Sequence, residues 1–173
     1  HAYAKIDWPD WDFSLLAGQT WDVNAPLMPS TVNYSVGWWS GDIGYRRPQF
    51  RLTKGFDLTE DTRLMFEGAV ARTIGDGVFG LNRTITGEDS GFPTLQGRMS
   101  LAFPMLTEKP TVLGLSGHYG QEEVDMNRMD LSRDFDTWSA VLDWTIPLTD
   151  KVQLTGEAWL GENLDAYVGG IAQ

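Results

Sequence analysis

The sequence predicts an all-β fold, an antiparallel transmembrane β-barrel of about eight strands in one domain covering residues 1–173. Three observations predict it. Apolar and polar residues alternate with a period of two, as they do in strands whose two faces meet different surroundings. The alternating runs contain about 8 to 12 residues, close to the ~9–11 residues of a tilted membrane strand. Short and long connections also alternate along the chain, which is the layout of outer-membrane barrels.

The first half of the chain contains four alternating runs. In the first, Ile6 and Trp8 share a face opposite Lys5 and Asp7. The second alternates less cleanly, and in the third Lys54 is a charged exception on the apolar side. These runs predict strands at 2–8, 13–21, 49–56 and 63–70.

The second half repeats the pattern more regularly. From residue 94 to residue 103, Leu95 and Met99 lie on the face opposite Gln96 and Arg98. Strand residues point to opposite faces in turn, so each run presents one apolar and one polar face. The remaining predicted strands lie at 94–103, 113–119, 137–146 and 152–160.

The connections divide into two classes by length. Four tight turns are predicted at 9–12, 58–61, 106–110 and 148–151, and three long loops at 22–48, 75–93 and 121–136. Compact domains rarely carry loops longer than ~12–15 residues, and several on one side are rarer still. The segment 121–136, QEEVDMNRMDLSRDFD, is interpreted as a solvated acidic loop, with Ca²⁺ binding by its carboxylates as the alternative.

Aromatic residues are concentrated where the strands meet the connections. Amphipathic rings at two heights are what the two interfaces of a bilayer favour. A soluble β-sandwich remains the structural alternative, because its core strands also alternate and bury aromatic rings. The predicted aromatic girdle consists of Trp8, Trp11, Phe56, Phe103, Trp138 and Trp144.

Composition excludes several functional classes. The chain has 24 acidic against 13 basic residues and a net charge of -11, which disfavours nucleic acid as a partner. It has no cysteine and two histidines, and it contains no G-x-S-x-G, H-E-x-x-H or P-loop motif. We therefore expect no enzymatic activity, no cofactor and no metal site.

The polar faces of the strands are the candidate functional surface. If the apolar faces meet lipid, the opposite faces line a lumen of mixed charge. Arg51, Arg63 and Arg98 come from successive strands and would form a basic ladder for carboxylate or phosphate solutes. The alternative is that these arginines pair with acidic residues of the wall. The predicted pore-lining residues are Lys5, Asp7, Arg51, Arg63, Glu67, Arg98, His118, Asp143 and Glu157.

The first long loop supplies a second candidate region. Arg46 and Arg47 end this loop and are expected at the mouth of the pore. Trp38 and Trp39 make the loop too apolar for a fully solvated segment. We expect it to fold inward as a constriction or to pack against a neighbouring subunit, with sugar stacking by the two tryptophans as a weaker alternative.

Three short blocks carry a family resemblance. LLAGQTWDVNAP at 15–26, YRRPQFRLTKGF at 45–56 and YVGGIAQ at 167–173 resemble the DcaP-like and related trimeric porins of Gram-negative bacteria. The resemblance implies about sixteen strands per subunit, a homotrimer in outer-membrane lipid, and passive diffusion of small hydrophilic solutes, including anionic ones.

With about eight strands, the chain is interpreted as an internal segment of such a porin. A complete eight-stranded barrel is the second interpretation, because eight strands close around an interior that side chains fill. The functional alternative is a soluble β-sandwich or a small plugged barrel that acts as a ligand-binding or adhesion module.

Overall fold

All eight predicted strands are present and form one antiparallel sheet. The computed structural model describes residues 2–27, 43–74, 90–126, 131–164 and 167. The strands follow one another in chain order, each paired with the next. They are β1 (Ala2–Trp8), β2 (Phe13–Trp21), β3 (Arg46–Asp57), β4 (Arg63–Ala71), β5 (Thr94–Pro104), β6 (Pro110–Met126), β7 (Leu131–Pro147) and β8 (Gln153–Glu162).

The sheet is continuous between its two edge strands. Among the described residues, β1 pairs with β2 and β8 pairs with β7, and the two edges are not paired with each other. No helix in the described ranges is long and apolar enough to cross a membrane. A soluble sandwich would divide its strands between two packed sheets, whereas here all eight strands belong to one.

The four short turns are confirmed. A single 3₁₀ turn, Pro9–Trp11, joins β1 to β2 and ends at Asp12 in the left-handed conformation (φ 46°). The β3–β4 and β7–β8 turns are closed by hydrogen bonds from the Leu58 N–H to the Thr62 carbonyl and from the Leu148 N–H to the Val152 carbonyl. All four turns lie at the same ends of the strands, which we call the turn end. The opposite ends of the strands form the loop end.

The predicted loop at 121–136 is wrong in its boundaries. Strands β6 and β7 continue through most of it, and their ladder runs from the Gln121–Asp136 pair to the Met126–Leu131 pair. Acidic composition suggested a solvated loop, but acidic residues are also compatible with a paired strand, and the backbone here is paired. The predicted loop at 22–48 also ends earlier than expected, because β3 begins at Arg46. Residues 28–42 and 75–89 lie outside the described residues.

Register assigns the side chains to two faces, and the apolar face points outward. Phe50 is 66% exposed, Leu115 55% and Leu160 60%, although such side chains are ordinarily buried. Across four central strands, Phe66, Met99, Leu115 and Leu142 stand side by side on this outer face. The other large exposed apolar residues of the outer face are Ile6, Leu52, Phe56, Val70, Leu95, Leu113, Tyr119 and Leu154.

The opposite face is polar and buried, so the core of this structure consists mainly of polar side chains. We call it the polar interior. Parts of the long connections cover it, and they contribute the buried apolar residues Val23, Ala25, Ile43, Leu164 and Tyr167. The buried polar residues on this face of the strands are Ser14, Arg47, Gln49, Thr94, Gln96, Arg98, Ser100, Ser116, His118, Thr137, Ser139 and Asp143.

The extended β6–β7 hairpin gives a direct test of the corrected boundary. Beyond Tyr119 the described ladder of β6 is with β7 alone, and a two-stranded ribbon is only marginally stable. The amides of 121–126 should therefore exchange with solvent more slowly than an unstructured peptide, by about tenfold or more, yet faster than those of 112–119. Hydrogen exchange read by mass spectrometry measures this, and exchange of 121–126 at random-coil rates would restore the loop assignment.

Candidate functional site

An ion-pair network lies in the middle of the polar interior. Arg98 on β5 donates two hydrogen bonds to Asp143 on β7, from Nη2 to Oδ1 at 2.7 Å and from Nε to Oδ2 at 3.1 Å. Its third nitrogen, Nη1, donates to Glu67 Oε2 on β4 at 3.3 Å. Asp143 is 2% exposed. The guanidinium group thus links Glu67 on β4 to Asp143 on β7.

Arg51 extends the network to β3. Its Nη1 lies 3.5 Å from Glu67 Oε1, so one carboxylate lies between two guanidinium groups. The Nε of Arg51 donates to Gln49 Oε1 at 3.1 Å, and its Nη2 donates to the Trp21 carbonyl. These bonds fix the orientation of Arg51 and leave its charge close to Glu67.

Gly114 provides the space in which this network fits. A Cβ atom at this position would lie 2.2 Å from Asp143 Oδ2 and 2.6 Å from Arg98 Nη2. Gly114 pairs with Asp143 across the β6–β7 ladder. Any larger residue there would therefore displace the ion pair.

A second network joins the loop ends of β2, β3, β4 and β5. Arg47 donates from Nε and Nη2 to both oxygens of Asp22, at 2.8 and 2.7 Å. Its Nη1 donates to Thr94 Oγ1 and to the Arg72 carbonyl, both at 3.1 Å. Asp22 Oδ2 also accepts the Tyr45 N–H at 2.9 Å. Both charged side chains are almost completely buried.

Tyr167 connects this second network to β6. Its ring is stacked on His118 with centroids 4.0 Å apart, and the Arg47 guanidinium lies over the same ring at 4.7 Å. Burial raises the pKa of the Tyr167 hydroxyl above its ordinary value of 10.0.

The hydrogen bonds of His118 specify one tautomer. Thr137 Oγ1 donates to the Asn163 carbonyl at 2.9 Å, so it accepts from His118 Nε2 at 3.1 Å. Ser139 Oγ accepts from Asn24 Nδ2 at 3.3 Å and is free to donate to His118 Nδ1 at 2.6 Å. The neutral Nε2–H form satisfies all of these bonds. His118 on β6 and Ser139 on β7 therefore anchor residues 22–25, which follow β2.

Eight of the nine predicted pore-lining residues divide into three groups, and Arg63 stands apart from them. Arg51, Glu67, Arg98 and Asp143 form the central network. His118 belongs to the loop-end network. Glu157 accepts the N–H of Ile43, one of the residues that cover the polar interior, at 2.9 Å. Lys5 and Asp7 pair with each other at 2.6 Å on the exposed edge strand β1.

Arg63 does not join a basic ladder. It is exposed at the turn end, where it binds Asp12 at 2.6 Å and Asp57 at 2.9 Å. All three arginines pair with acidic residues, which is the alternative stated from sequence, but only Arg51 and Arg98 do so in the polar interior. The alternation of residues places the three arginines on one face of the sheet. Their positions along the strands separate Arg63 from the other two.

The two arginines expected at the pore mouth differ in environment. Arg46 is exposed on the outer face, with its guanidinium 5.8 Å from the Trp21 ring centroid. Arg47, on the opposite face at the same loop end, is 1% exposed, and the position of the two arginines at a pore mouth stays a prediction. Trp38 and Trp39 lie outside the described residues.

Sequence reasoning missed Asp22, Asn24, Gln96 and Tyr167. Gln96 Oε1 accepts the Val23 N–H at 2.9 Å, which fixes the covering segment on β5. The position of Gln96 in the middle of the polar face indicates that it needs a hydrogen-bond partner. Alternation does not show which segment of the chain supplies that partner. Within the described ranges, no group of three or more His, Asp or Glu side chains is arranged to hold a metal ion.

Substitution of Gly114 tests the packing of the central network. Gly114→Ala should lower the free energy of unfolding by about 1–3 kcal/mol, because the added methyl overlaps Asp143 and Arg98. Gly68→Ala is the matched control, since nothing lies within 4 Å of its Cβ position, and it should be neutral or slightly stabilising. Urea unfolding in detergent measures both, and equal effects would contradict the geometry.

Adjacent arginines on opposite faces of β3 test the loop-end network. Arg47→Met should cost about 3–5 kcal/mol, because it leaves Asp22 buried without its counter-charge. Arg46→Met removes an exposed cation–π contact and should cost at most about 1 kcal/mol. The difference in urea midpoint between the two variants is the measurement, and similar midpoints would mean that Asp22 is not held in a buried ion pair.

Comparisons of the chain with protein-family models, with curated proteins and with solved structures found no match.

Proposed function

We propose that this chain forms part of a β-barrel in the outer membrane of a Gram-negative bacterium and serves there as a passive diffusion channel for small hydrophilic solutes. The observation that carries the proposal is the inverted arrangement of the sheet, with polar side chains buried and apolar side chains outward. In water, each large outward side chain forgoes about 1.5–3 kcal/mol of burial. In lipid the same arrangement is favourable, because the outer band of such barrels is apolar and the interior polar.

The distribution of charge on the outer face supports lipid contact. Near the middle of the described strands this face is apolar, and its charged residues lie towards the strand ends, as Arg46, Lys54 and Glu162 do. Lys54 directs its ammonium group to the Trp11 carbonyl at 2.5 Å and lies 4.5 Å from the Phe56 ring centroid. Long cationic side chains at a membrane boundary extend their charge towards the polar side in this way.

Apart from Phe66, which stands in the central row beside Met99, the aromatic residues of the outer face lie at two levels, as an interfacial girdle requires. Five of the six residues predicted for the girdle belong to the turn end: Trp8, Trp11, Phe56, Phe103 and Trp144. Trp138 lies towards the loop end, where its Nε1 donates to Glu162 Oε2 at 3.1 Å. Tyr119 and Trp21 stand at the same end of the outer face.

The resemblance of residues 15–26, 45–56 and 167–173 to trimeric porins supports the narrower assignment. On this basis the partners are outer-membrane lipid, two further copies of the chain in a homotrimer, and small hydrophilic solutes. Barrel closure, through β1 and β8 or through further strands, is part of the same proposal.

One observation favours a second candidate, a small plugged barrel that acts as an anchor or binding module. The central network leaves little accessible surface on Arg98 and Asp143, and the interior of an eight-stranded barrel is filled by side chains. Conductance separates the two candidates. Protein extracted unheated in detergent and added to a planar lipid bilayer should give discrete current steps if it is a channel, and none if it is plugged.

A charge placed on the outer face tests lipid contact. Leu115→Arg should lower the free energy of unfolding in lipid vesicles by about 2–4 kcal/mol, because its position on β6 places the charge in the apolar band. Leu106→Arg is the matched control, since Leu106 is comparably exposed but lies in the turn between β5 and β6. It should leave the unfolding free energy nearly unchanged.

The opposite interpretation makes a different prediction for this pair. If the outer face met water, both arginines would be tolerated equally and would raise solubility without detergent. Urea titration in vesicles, together with recovery of each variant in the membrane fraction, decides between the two.

A further inference from the structure

We propose that the outer face of the sheet carries, at its loop end, a binding site for the primary ammonium group of a lipid headgroup. The inference rests on the membrane location in the proposed function, and it adds the headgroup chemistry that the chain selects there. The site is an aromatic–carboxylate cluster that consists of Tyr119 and Gln121 on β6, Asp136 and Trp138 on β7, and Glu162 on β8.

The strand ladders bring these side chains together on one face. Tyr119 pairs with Trp138, and Trp138 pairs in turn with Glu162. Gln121 pairs with Asp136 two positions further along the same ladder. Residues two positions apart on a strand share a face, and directly opposed residues have Cβ atoms ~4.5–5.5 Å apart. Two aromatic rings and two carboxylates therefore form one patch.

Each carboxylate is oriented by a neighbouring aromatic side chain through only one of its oxygens. Asp136 Oδ1 accepts the Tyr119 hydroxyl at 3.0 Å and Gln121 Nε2 at 3.1 Å. Glu162 Oε2 accepts the Trp138 Nε1–H at 3.1 Å. Both carboxylates are exposed, and within the described ranges neither forms an ion pair with a lysine or an arginine. Asp136 Oδ2 and Glu162 Oε1 thus face outward as acceptors.

A primary ammonium group matches this arrangement. It combines a compact positive charge with three N–H donors, and its hydrogen bonds to carboxylates are roughly twice as strong as neutral ones. The rings of Tyr119 and Trp138 attract the same charge through their faces. An anionic headgroup is repelled by the two carboxylates, and a trimethylammonium group has no N–H to donate to them.

The height of the cluster identifies a lipid headgroup as the source of the ammonium group. Ile146 is the last apolar residue of β7 on the outer face at the turn end, and Asp136 lies ten positions before it. Ten positions span ~34 Å along a strand, which is ~26 Å along the membrane normal at a tilt of ~40°. Because the apolar band of such barrels is ~25 Å tall, Asp136 lies at the level of the headgroups.

The test is native mass spectrometry of the detergent-extracted full chain, mixed with equal amounts of phosphatidylethanolamine and phosphatidylcholine that carry the same acyl chains. The wild-type protein should retain phosphatidylethanolamine about two- to fivefold more than phosphatidylcholine, the range expected for an exposed cation–π contact. Asp136→Asn combined with Glu162→Gln should abolish the preference, because both changes keep the acceptor oxygens for the aromatic donors and remove the two charges.

The matched control is Glu108→Gln combined with Asp150→Asn, which removes two charges from exposed turns at the turn end. This control should keep the wild-type preference. Loss of the preference in the control as well would mean that the overall charge of the chain, and not the cluster, selects the lipid.

The other outcomes separate this inference from the proposed function. Equal retention of the two lipids by the wild-type protein, or a preference for phosphatidylcholine, would overturn the ammonium site and leave the membrane location standing. A preference that survives in the variant of Asp136 and Glu162 would overturn its assignment to this cluster. Recovery of the wild-type chain in the soluble fraction without detergent would overturn the membrane location and the lipid site together.

Discussion

The buried ion pairs are the interaction on which the rest of this structure depends. A sheet that directs its polar side chains inward must satisfy them there, because an unpaired buried charge costs several kcal/mol. Arg98 meets this requirement by joining Glu67 and Asp143, and Arg47 by binding Asp22 and Thr94. Both networks connect strands that are not neighbours in the sheet, because Arg98 on β5 binds Asp143 on β7 and Arg47 on β3 binds Thr94 on β5.

The same constraint explains the covering segments. Asn24 donates to His118 and Ser139, Val23 donates to Gln96, and Ile43 donates to Glu157. All four acceptors belong to the polar face of the sheet. The chain leaving β2 and entering β3 is drawn across the polar interior for this reason. Tyr167 completes the cover by stacking between Arg47 and His118.

The strands and turns were predictable because alternation and tight-turn residues are local signals. The same alternation placed Arg98 and Glu67 on the polar face. An ion pair between arginines and acidic residues was one of the two interpretations that the sequence allowed. The partnership of Asp22 with Arg47 was not, because a contact across 25 positions in sequence leaves no local pattern. The β6–β7 extension was missed because its acidic residues resemble those of a loop while its backbone remains paired.

The central claim is that the apolar face of the sheet meets lipid. The chain has no cysteine, so single nitroxide labels can be placed at Phe66, Met99, Leu115 and Leu142, a row across four strands, and at Leu148 in a turn. In native-lipid vesicles, power saturation should show the four outer-face labels relaxed by oxygen and shielded from a water-soluble nickel complex, with the reverse at Leu148. Relaxation of all five labels by the nickel complex would contradict the account.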